Sequence, residues 1–173
     1  AMMLASLELA EGTSDFNYQE TCLNLSGLYI QMKKYEQARI LSQKLVADPT
    51  FDAPWRALTN RGWAEFQMAR YADARKSFGE ALEFFPAYWP AHLNLGILEQ
   101  KEGHTLAAIQ SFERALATER MSYDAAAEAN YRMAEIYVSL GKRNEAIRHF
   151  RVAFERSPNG EWGEQSKSYL DLL

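Results

Sequence analysis

Small apolar residues recur along the chain at regular intervals. Each lies in a segment whose larger apolar residues have helical spacing. The clearest are Ala38, Ala74, Ala108 and Ala146, which lie 36, 34 and 38 residues apart. This spacing is close to the length of one helix hairpin repeat, about 34 residues. The pattern therefore predicts a series of antiparallel helix pairs.

Glycine and proline mark where the predicted helices end. Gly103 and Gly141 follow the first helix of a pair, where the chain must turn through a left-handed conformation that glycine adopts without steric cost. Lys33 and Ala69 stand at the matching places of the two earlier pairs. Prolines, which cannot continue a helical hydrogen-bond ladder, follow three of the second helices: Pro49, Pro86 and Pro158. These residues divide the chain into helix pairs.

Close approach of the two helices in a pair requires small residues between them. We predict that Gly96 on one helix faces Ala108 on the next. Cys22, the single cysteine, lies among Leu23 and Leu25 and is predicted to be a buried helix residue rather than a reactive thiol. One cysteine also excludes an intrachain disulfide.

A recurring set of glycine, aromatic and alanine residues surrounds the anchors. The set comprises Leu25-Ser26-Gly27 with Tyr29 and Tyr35; Gly62 with Tyr71, Phe78 and Ala81; Leu95-Gly96 with Gly103, Phe112 and Ala115; and Tyr137 with Gly141, Phe150 and Ala153. These residues resemble the tetratricopeptide-repeat (TPR) family over nearly the whole chain. The resemblance implies an all-α fold, a right-handed TPR superhelix (α-solenoid) of antiparallel helix pairs with a C-terminal capping helix.

The resemblance also implies how the chain is divided. Residues 1–12 are expected to be the tail of a preceding TPR helix, so that the chain begins inside a longer protein. Residues 161–173 are expected to form the half-polar capping helix that a terminal repeat needs. The four repeats between them are predicted at residues 18–50, 54–86, 88–120 and 124–158.

In a TPR stack the first helix of each pair lines the inner wall, so the resemblance places the binding face at positions that point away from the second helix. These positions are Leu23, Ile30, Thr59, Trp63, Phe66, Leu93, Ile97, Gln100, Tyr131, Glu135 and Val138. Because the set is largely apolar, we expect a groove for a protein segment, either an amphipathic helix or an extended peptide with aliphatic anchors. Packing of Trp63 and Phe66 between repeats is the alternative, and the sequence leaves both open.

One helical position is asparagine in three repeats: Asn24, Asn60 and Asn94. Chaperone-associated TPR proteins use asparagines and a lysine on this helix to hold an acidic carboxyl terminus. The lysine and second asparagine are absent here, since Leu23 and Gly27 stand in the first repeat and Thr59 and Trp63 in the second. We therefore predict hydrogen bonds between helices for these asparagines, and no such clamp.

Three further stretches carry a narrower resemblance. They are the junction at residues 48–55 leading to residues 58–62, the long junction at residues 118–124, and the ending at residues 157–163 before Ser166 and Tyr169-Leu170. They resemble the pilotin lipoproteins that help to assemble the type IV pilus secretin, including those of social gliding motility. The resemblance implies a scaffold at the periplasmic face of the outer membrane that binds a secretin or pilus-assembly subunit, with its lipid anchor upstream of residue 1.

The alternative interpretation is a cytoplasmic or periplasmic TPR adaptor for another complex, including self-assembly through its own groove. The upstream native sequence separates the two, because a lipoprotein signal is expected only in the first.

Charge and composition exclude other classes of function. Nineteen basic against 23 acidic residues give a net charge of −4, and without a basic stripe we expect no nucleic-acid partner. The sequence has no phosphate-binding loop, serine elbow or cysteine–histidine pairing, so we predict no enzyme and no cofactor. His92, His104 and His149 lie far apart without a second ligand at metal-binding spacing, so no metal site is predicted. We expect His104 in a turn and His149 on a helix surface.

Overall fold

The computed structural model describes residues 16–118 and 120–172, and over these residues the backbone forms nine α-helices and no strand. The helices are α1 (Phe16–Gln31), α2 (Tyr35–Ala47), α3 (Pro54–Gln67), α4 (Tyr71–Phe84), α5 (Trp89–Lys101), α6 (Thr105–Leu116), α7 (Tyr123–Ser139), α8 (Arg143–Arg156) and α9 (Glu161–Leu170). Residues 1–12, predicted as the tail of a preceding helix, lie outside the described residues.

The helices belong to two compact units. Unit 1 runs up to Pro86 and contains α1 to α4, and unit 2 runs from Ala87 and contains α5 to α9. Within each unit, helices that are adjacent in sequence pack against each other. The first helices of neighbouring pairs also lie side by side, α1 beside α3 in unit 1 and α5 beside α7 in unit 2. The final helix, α9, packs on both α7 and α8.

The turn inside each helix pair is built in the same way four times. Gly103 and Gly141 have φ of +79° and +69°, which confirms the predicted left-handed turns. Lys33 and Ala69, at φ of +58° and +59°, adopt the same conformation although they carry a Cβ. In each turn the next residue donates its backbone N–H to a carbonyl five residues earlier, as in His104 N to Glu99 O at 2.8 Å. Backbone hydrogen bonds thus hold the turn even where the residue is strained.

In three of the four pairs the core is an aromatic ring set against a small residue, whereas the first pair has the buried Ser42 at the matching place. Phe78, Phe112 and Phe150 are fully buried, as are the four anchor alanines. A Cβ built on Gly96 would meet Phe112 Cδ1 at 2.6 Å, so Phe112 is the side chain nearest to this glycine, and the predicted approach of Ala108 stays a prediction. Phe112 follows Ala108 by one helical turn on the same face, and helical side chains lean back toward the N-terminus, which brings the ring over the glycine.

The ends of the second helices and the cysteine follow the sequence-based expectation. Helices α2, α4 and α8 each end two residues before the proline that was predicted to stop them: Pro49, Pro86 and Pro158. Cys22 is buried in the unit 1 core beside Leu23 and Leu45, which confirms its predicted place.

Candidate functional site

The unit 1 face of interest is formed by α1 and α3. Of the residues predicted there, Leu23 and Thr59 are buried, at 3% and 5% exposure, while Ile30, Trp63 and Phe66 are half-buried. The hydroxyl of Thr59 donates to the carbonyl of Trp55 one turn earlier, at 2.8 Å. Leu23 and Thr59 thus lie at the base of the face, and the three half-buried residues are the ones whose side chains still reach solvent.

Trp63 and Phe66 form a continuous aromatic surface on α3. Their ring centroids lie 5.1 Å apart with an interplanar angle of 24°, and Phe66 also contacts Tyr71 at 5.7 Å. Residues three apart on a helix lie on the same side, so the stacking is a direct consequence of the spacing. We name Trp63, Phe66 and Tyr71 the aromatic ladder. Stacked rings are stiff and present large apolar area with little entropy to lose on binding.

Polar contacts fix α1 against α3 beside the aromatic ladder. Arg56 Nη1 lies 3.0 Å from Glu20 Oε2 in an ion pair between the two helices. The amide of Asn60 donates to Ser26 Oγ at 2.7 Å and reaches the carbonyl of Leu23 at 3.5 Å. The predicted role of Asn60 in hydrogen bonding between helices is confirmed, whereas Asn24 is exposed.

A charged network behind this face was not predicted; Glu65 and Ser77 are buried in it, and Arg61 and Glu80 are half-buried. Arg61 lies 2.6 Å from Glu80 and 2.9 Å from Ser77 Oγ, and Ser77 in turn donates to Glu65. Burial raises the pKa of the Glu65 carboxyl, against the opposing effects of the Ser77 hydrogen bond and the Arg61 charge. The sequence shows that Arg61 and Glu65 lie four residues apart, at the spacing of a helical ion pair. It does not show their partners Ser77 and Glu80, which lie on α4.

The unit 2 face is formed by α5 and α7. Leu93, Ile97 and Tyr131 are buried there, Gln100 and Glu135 are half-buried, and Val138 is 45% exposed. Gln100 Nε2 lies 3.5 Å from Glu135 Oε2, at the limit of a hydrogen bond. The part of this face that reaches solvent is therefore more polar than the one in unit 1.

Tyr131 belongs largely to the aromatic core under α9. Its ring contacts Phe150 at 5.7 Å, Trp162 at 5.2 Å and Tyr169 at 6.1 Å. Burial, followed by the charge of Glu135, raises the pKa of the Tyr131 hydroxyl, so this group stays neutral and acts as a hydrogen-bonding group.

Arg132 is a residue of the unit 2 face that the sequence-based set lacks. Its Nη2 lies 2.7 Å from Glu128 Oε1, its Nη1 lies 3.4 Å from Gln100 Oε1, and its guanidinium lies 5.0 Å above the Trp162 ring. The ion pair could have been predicted from the sequence, because Glu128 and Arg132 lie four residues apart on one helix. The contact with Trp162 could not, because it depends on where α9 packs. The arginine thus links α5, α7 and α9.

Two histidines differ from their predicted surroundings. His149 is half-buried rather than on the surface, because its ring stacks on Tyr137 and its Nδ1 lies 3.0 Å from Asn130 Oδ1. His104 does lie in a turn, but its Nδ1 is 2.8 Å from Glu99 Oε2 and 3.9 Å from Glu102 Oε2. His104, which was predicted to lack a second ligand at metal-binding spacing, therefore lies beside two carboxylates, because Gly103 turns the chain back onto the end of α5.

The described helices include none that combines the length and apolar character needed to cross a bilayer.

The tetratricopeptide-repeat family model matches residues 19–47 and 127–159, which cover most of α1, α2, α7 and α8. No curated protein matches the sequence.

Solved structures share the fold at low sequence identity. A thermophilic TPR protein of Thermus thermophilus is 21% identical over 99% of this chain and 88% of its own, with a TM-score of 0.79. MamA is 22% identical over 96% and 89%, with a TM-score of 0.70. PilW, a widely conserved type IV pilus biogenesis factor, is 19% identical over 85% and 66%, with a TM-score of 0.70. The two matched segments are therefore tetratricopeptide repeats, and the structural likenesses show that the chain has the all-α TPR fold.

Proposed function

We propose that this protein is a scaffold that holds a segment of a partner protein on the faces formed by its first helices. The observation that carries the proposal is the aromatic ladder of unit 1, which stacks Trp63 on Phe66 and leaves both rings partly open to solvent. TPR repeats are scaffolds for protein and peptide partners, and their first helices supply the binding surface.

The unit 1 face supplies the apolar part of recognition. Ile30, Trp63 and Phe66 offer aliphatic and aromatic contact, while Arg56 and Glu20 pair with each other at its edge. Because the charged groups satisfy one another, a partner gains most by burying its own apolar side chains against the rings. This fits an amphipathic helix or an extended segment with aliphatic anchors.

The unit 2 face supplies polar contacts of its own. The 3.5 Å contact between Gln100 and Glu135 is weak, so both groups can exchange it for a shorter hydrogen bond to a partner's backbone. Val138, exposed at the end of α7, adds an apolar contact beside them. Leu93, Ile97 and Tyr131 support these groups from below, as Leu23 and Thr59 do in unit 1.

The more specific form of the proposal is a pilotin-like factor, which binds an outer-membrane secretin or pilus-assembly subunit and aids its assembly. Two observations support it: the resemblance of the junctions at residues 48–55 and 157–163 to pilotins, and the fold shared with PilW. In this role the protein would act at the periplasmic face of the outer membrane, held by a lipid anchor upstream of residue 1.

The alternative is an adaptor for a different complex, or for self-assembly. The Thermus thermophilus TPR protein and MamA support this alternative, because they share the fold with TM-scores of 0.79 and 0.70, at least as high as the 0.70 of PilW. Both forms use the same first-helix faces and differ in the partner.

Affinity capture from membranes of the native organism tests the proposal. The chain and its Trp63→Glu/Phe66→Glu variant serve as baits, and Leu106→Glu is the matched control, since Leu106 is a 75% exposed apolar residue on the second helix α6. Circular dichroism verifies that each bait is folded. Recovery of a secretin by the native chain and by Leu106→Glu, but not by the double variant, supports the pilotin-like role. Recovery of a different protein with the same dependence on the baits supports the adaptor. Capture unaffected by the double change would refute binding through the aromatic ladder.

A further inference from the structure

The turn between α5 and α6 gathers three side chains that can ligate a metal ion. Glu99 and Glu102 lie on the same side at the end of α5, and His104 follows the left-handed Gly103. One ligand atom from each of the three residues lies within 4.8 Å of the other two. A histidine nitrogen with two carboxylate oxygens is a donor set that suits first-row divalent cations.

The same turn in the other three repeats carries different chemistry. Where the third repeat has His104, the others have a side chain that is cationic at neutral pH: Lys34, Arg70 and Lys142. Where it has Glu102, the others have an apolar residue: Met32, Met68 and Leu140. The third turn therefore has an imidazole and a second carboxylate where the other turns have a cation and an apolar side chain. The geometry of the turn does not require this difference, because the backbone turn is the same in all four repeats.

We propose that Glu99, Glu102 and His104 form a site for one Zn²⁺ ion. A tetrahedral zinc ion with bonds of about 2.0–2.1 Å holds its ligand atoms about 3.3 Å apart. The distances from His104 Nδ1 to the two carboxylates, 2.8 and 3.9 Å, lie on either side of that value. Only small side-chain adjustments are needed, and the side chains of His104 and Glu102 are exposed enough to make them, at 57% and 28%.

The ion replaces a proton in this arrangement. Nδ1 of His104 faces the Glu99 carboxylate at hydrogen-bond distance, so a proton lies between them until the metal takes its place. The negative end of the α5 dipole, at the helix C-terminus, adds to the attraction for a cation. Three protein ligands leave one position for water or for a ligand from a partner, and the bound ion ties the end of α5 to the start of α6.

Calorimetric titration of ZnCl₂ into the full chain at pH 7.5 tests the site. We expect one ion per chain, and at least about tenfold weaker binding when a ligand is removed in His104→Arg or Glu102→Gln. His104→Arg recreates the residue that the second repeat carries as Arg70, so it is compatible with the turn. His149→Asn is the control, because His149 lies on α8 beside Asn130, and it should bind zinc like the native chain.

Two further measurements on folded protein complete the test. Zinc should raise the Tm of the native chain and of His149→Asn, but not of His104→Arg, and EDTA should reverse the rise. In the native chain, NMR should show the imidazole resonances of His104 shifting during the titration. Absence of zinc binding, binding unchanged in both ligand variants, or shifts confined to His92 or His149 would overturn the proposal.

Discussion

The substitution Gly62→Ala tests the packing of a glycine against an aromatic ring most sharply. A Cβ at this position would lie 2.6 Å from Phe78 Cε1 and 2.7 Å from Cδ1, and Phe78 is fully buried. Carbon atoms in contact prefer about 3.5–4.0 Å, so the ring or the helix must move by about 1 Å. Overpacking of this kind costs about 1–3 kcal/mol. Alanine gains about 0.5–1 kcal/mol in helix propensity, which leaves a net loss of up to about 2.5 kcal/mol.

The same substitution at Gly79 is the matched control. Gly79 lies inside α4, and nothing stands within 4 Å of its absent Cβ. Gly79→Ala should therefore stabilise the protein by about 0.5–1 kcal/mol through helix propensity alone. Urea unfolding followed by circular dichroism gives both free energies, provided that the m-value is unchanged.

A double variant separates the ring contact from other effects of the change. Phe78→Leu in the Gly62→Ala background makes room for the new methyl group, so its cost should be smaller there than in the native chain. Additive costs would show that the ring does not limit the site. If Gly62→Ala stabilised the protein as much as Gly79→Ala, the account of close packing between α3 and α4 would be refuted.

Three other outcomes are expected. Ala69→Gly should stabilise the chain by about 0.5–1 kcal/mol in urea unfolding, because Ala69 is held at φ +59°, and a loss of stability would contradict a strained turn. Burial lowers the pKa of His149 from 6.5, so the unfolded chain binds more protons and stability is lost as the pH falls from about 6.5 through the folded pKa. The Tm of His149→Gln should therefore fall less than that of the native chain between pH 7.5 and 5.5. An equal fall in Tm would argue against protonation of His149 as the cause. Burial also raises the pKa of the Cys22 thiol, so a thiol reagent should react with it only as the protein unfolds, whereas immediate reaction would place it at the surface.

Much of the fold was predictable because a helix pair is a local structure. Ala108 and Phe112 repeat at fixed spacing because each pair must pack in the same way, and Gly103 marks a turn that other residues adopt only with strain. Asn60 could also be assigned, since its position faces the neighbouring first helix. Contacts between residues about one repeat apart follow from the period itself.

The site was less predictable because exposure depends on what covers a residue. Tyr131 follows the same repeat pattern as Thr59, yet α9 surrounds its ring with aromatic side chains. Arg132 was not predicted as a site residue, because its contact with Trp162 joins α7 to α9, and α9 is not part of the repeat pattern. The distance between His104 and Glu99 is set by the direction of the chain after the turn, which sequence spacing does not supply.

The affinity of the captured partner for the chain is the most direct test of the central claim, that the first-helix faces hold a protein. Calorimetry with the purified partner should show Trp63→Glu/Phe66→Glu binding at least about thirtyfold more weakly, the equivalent of about 2 kcal/mol for loss of an aromatic anchor. The Leu106→Glu control should bind like the native chain. Equal affinity of all three folded proteins would contradict the account.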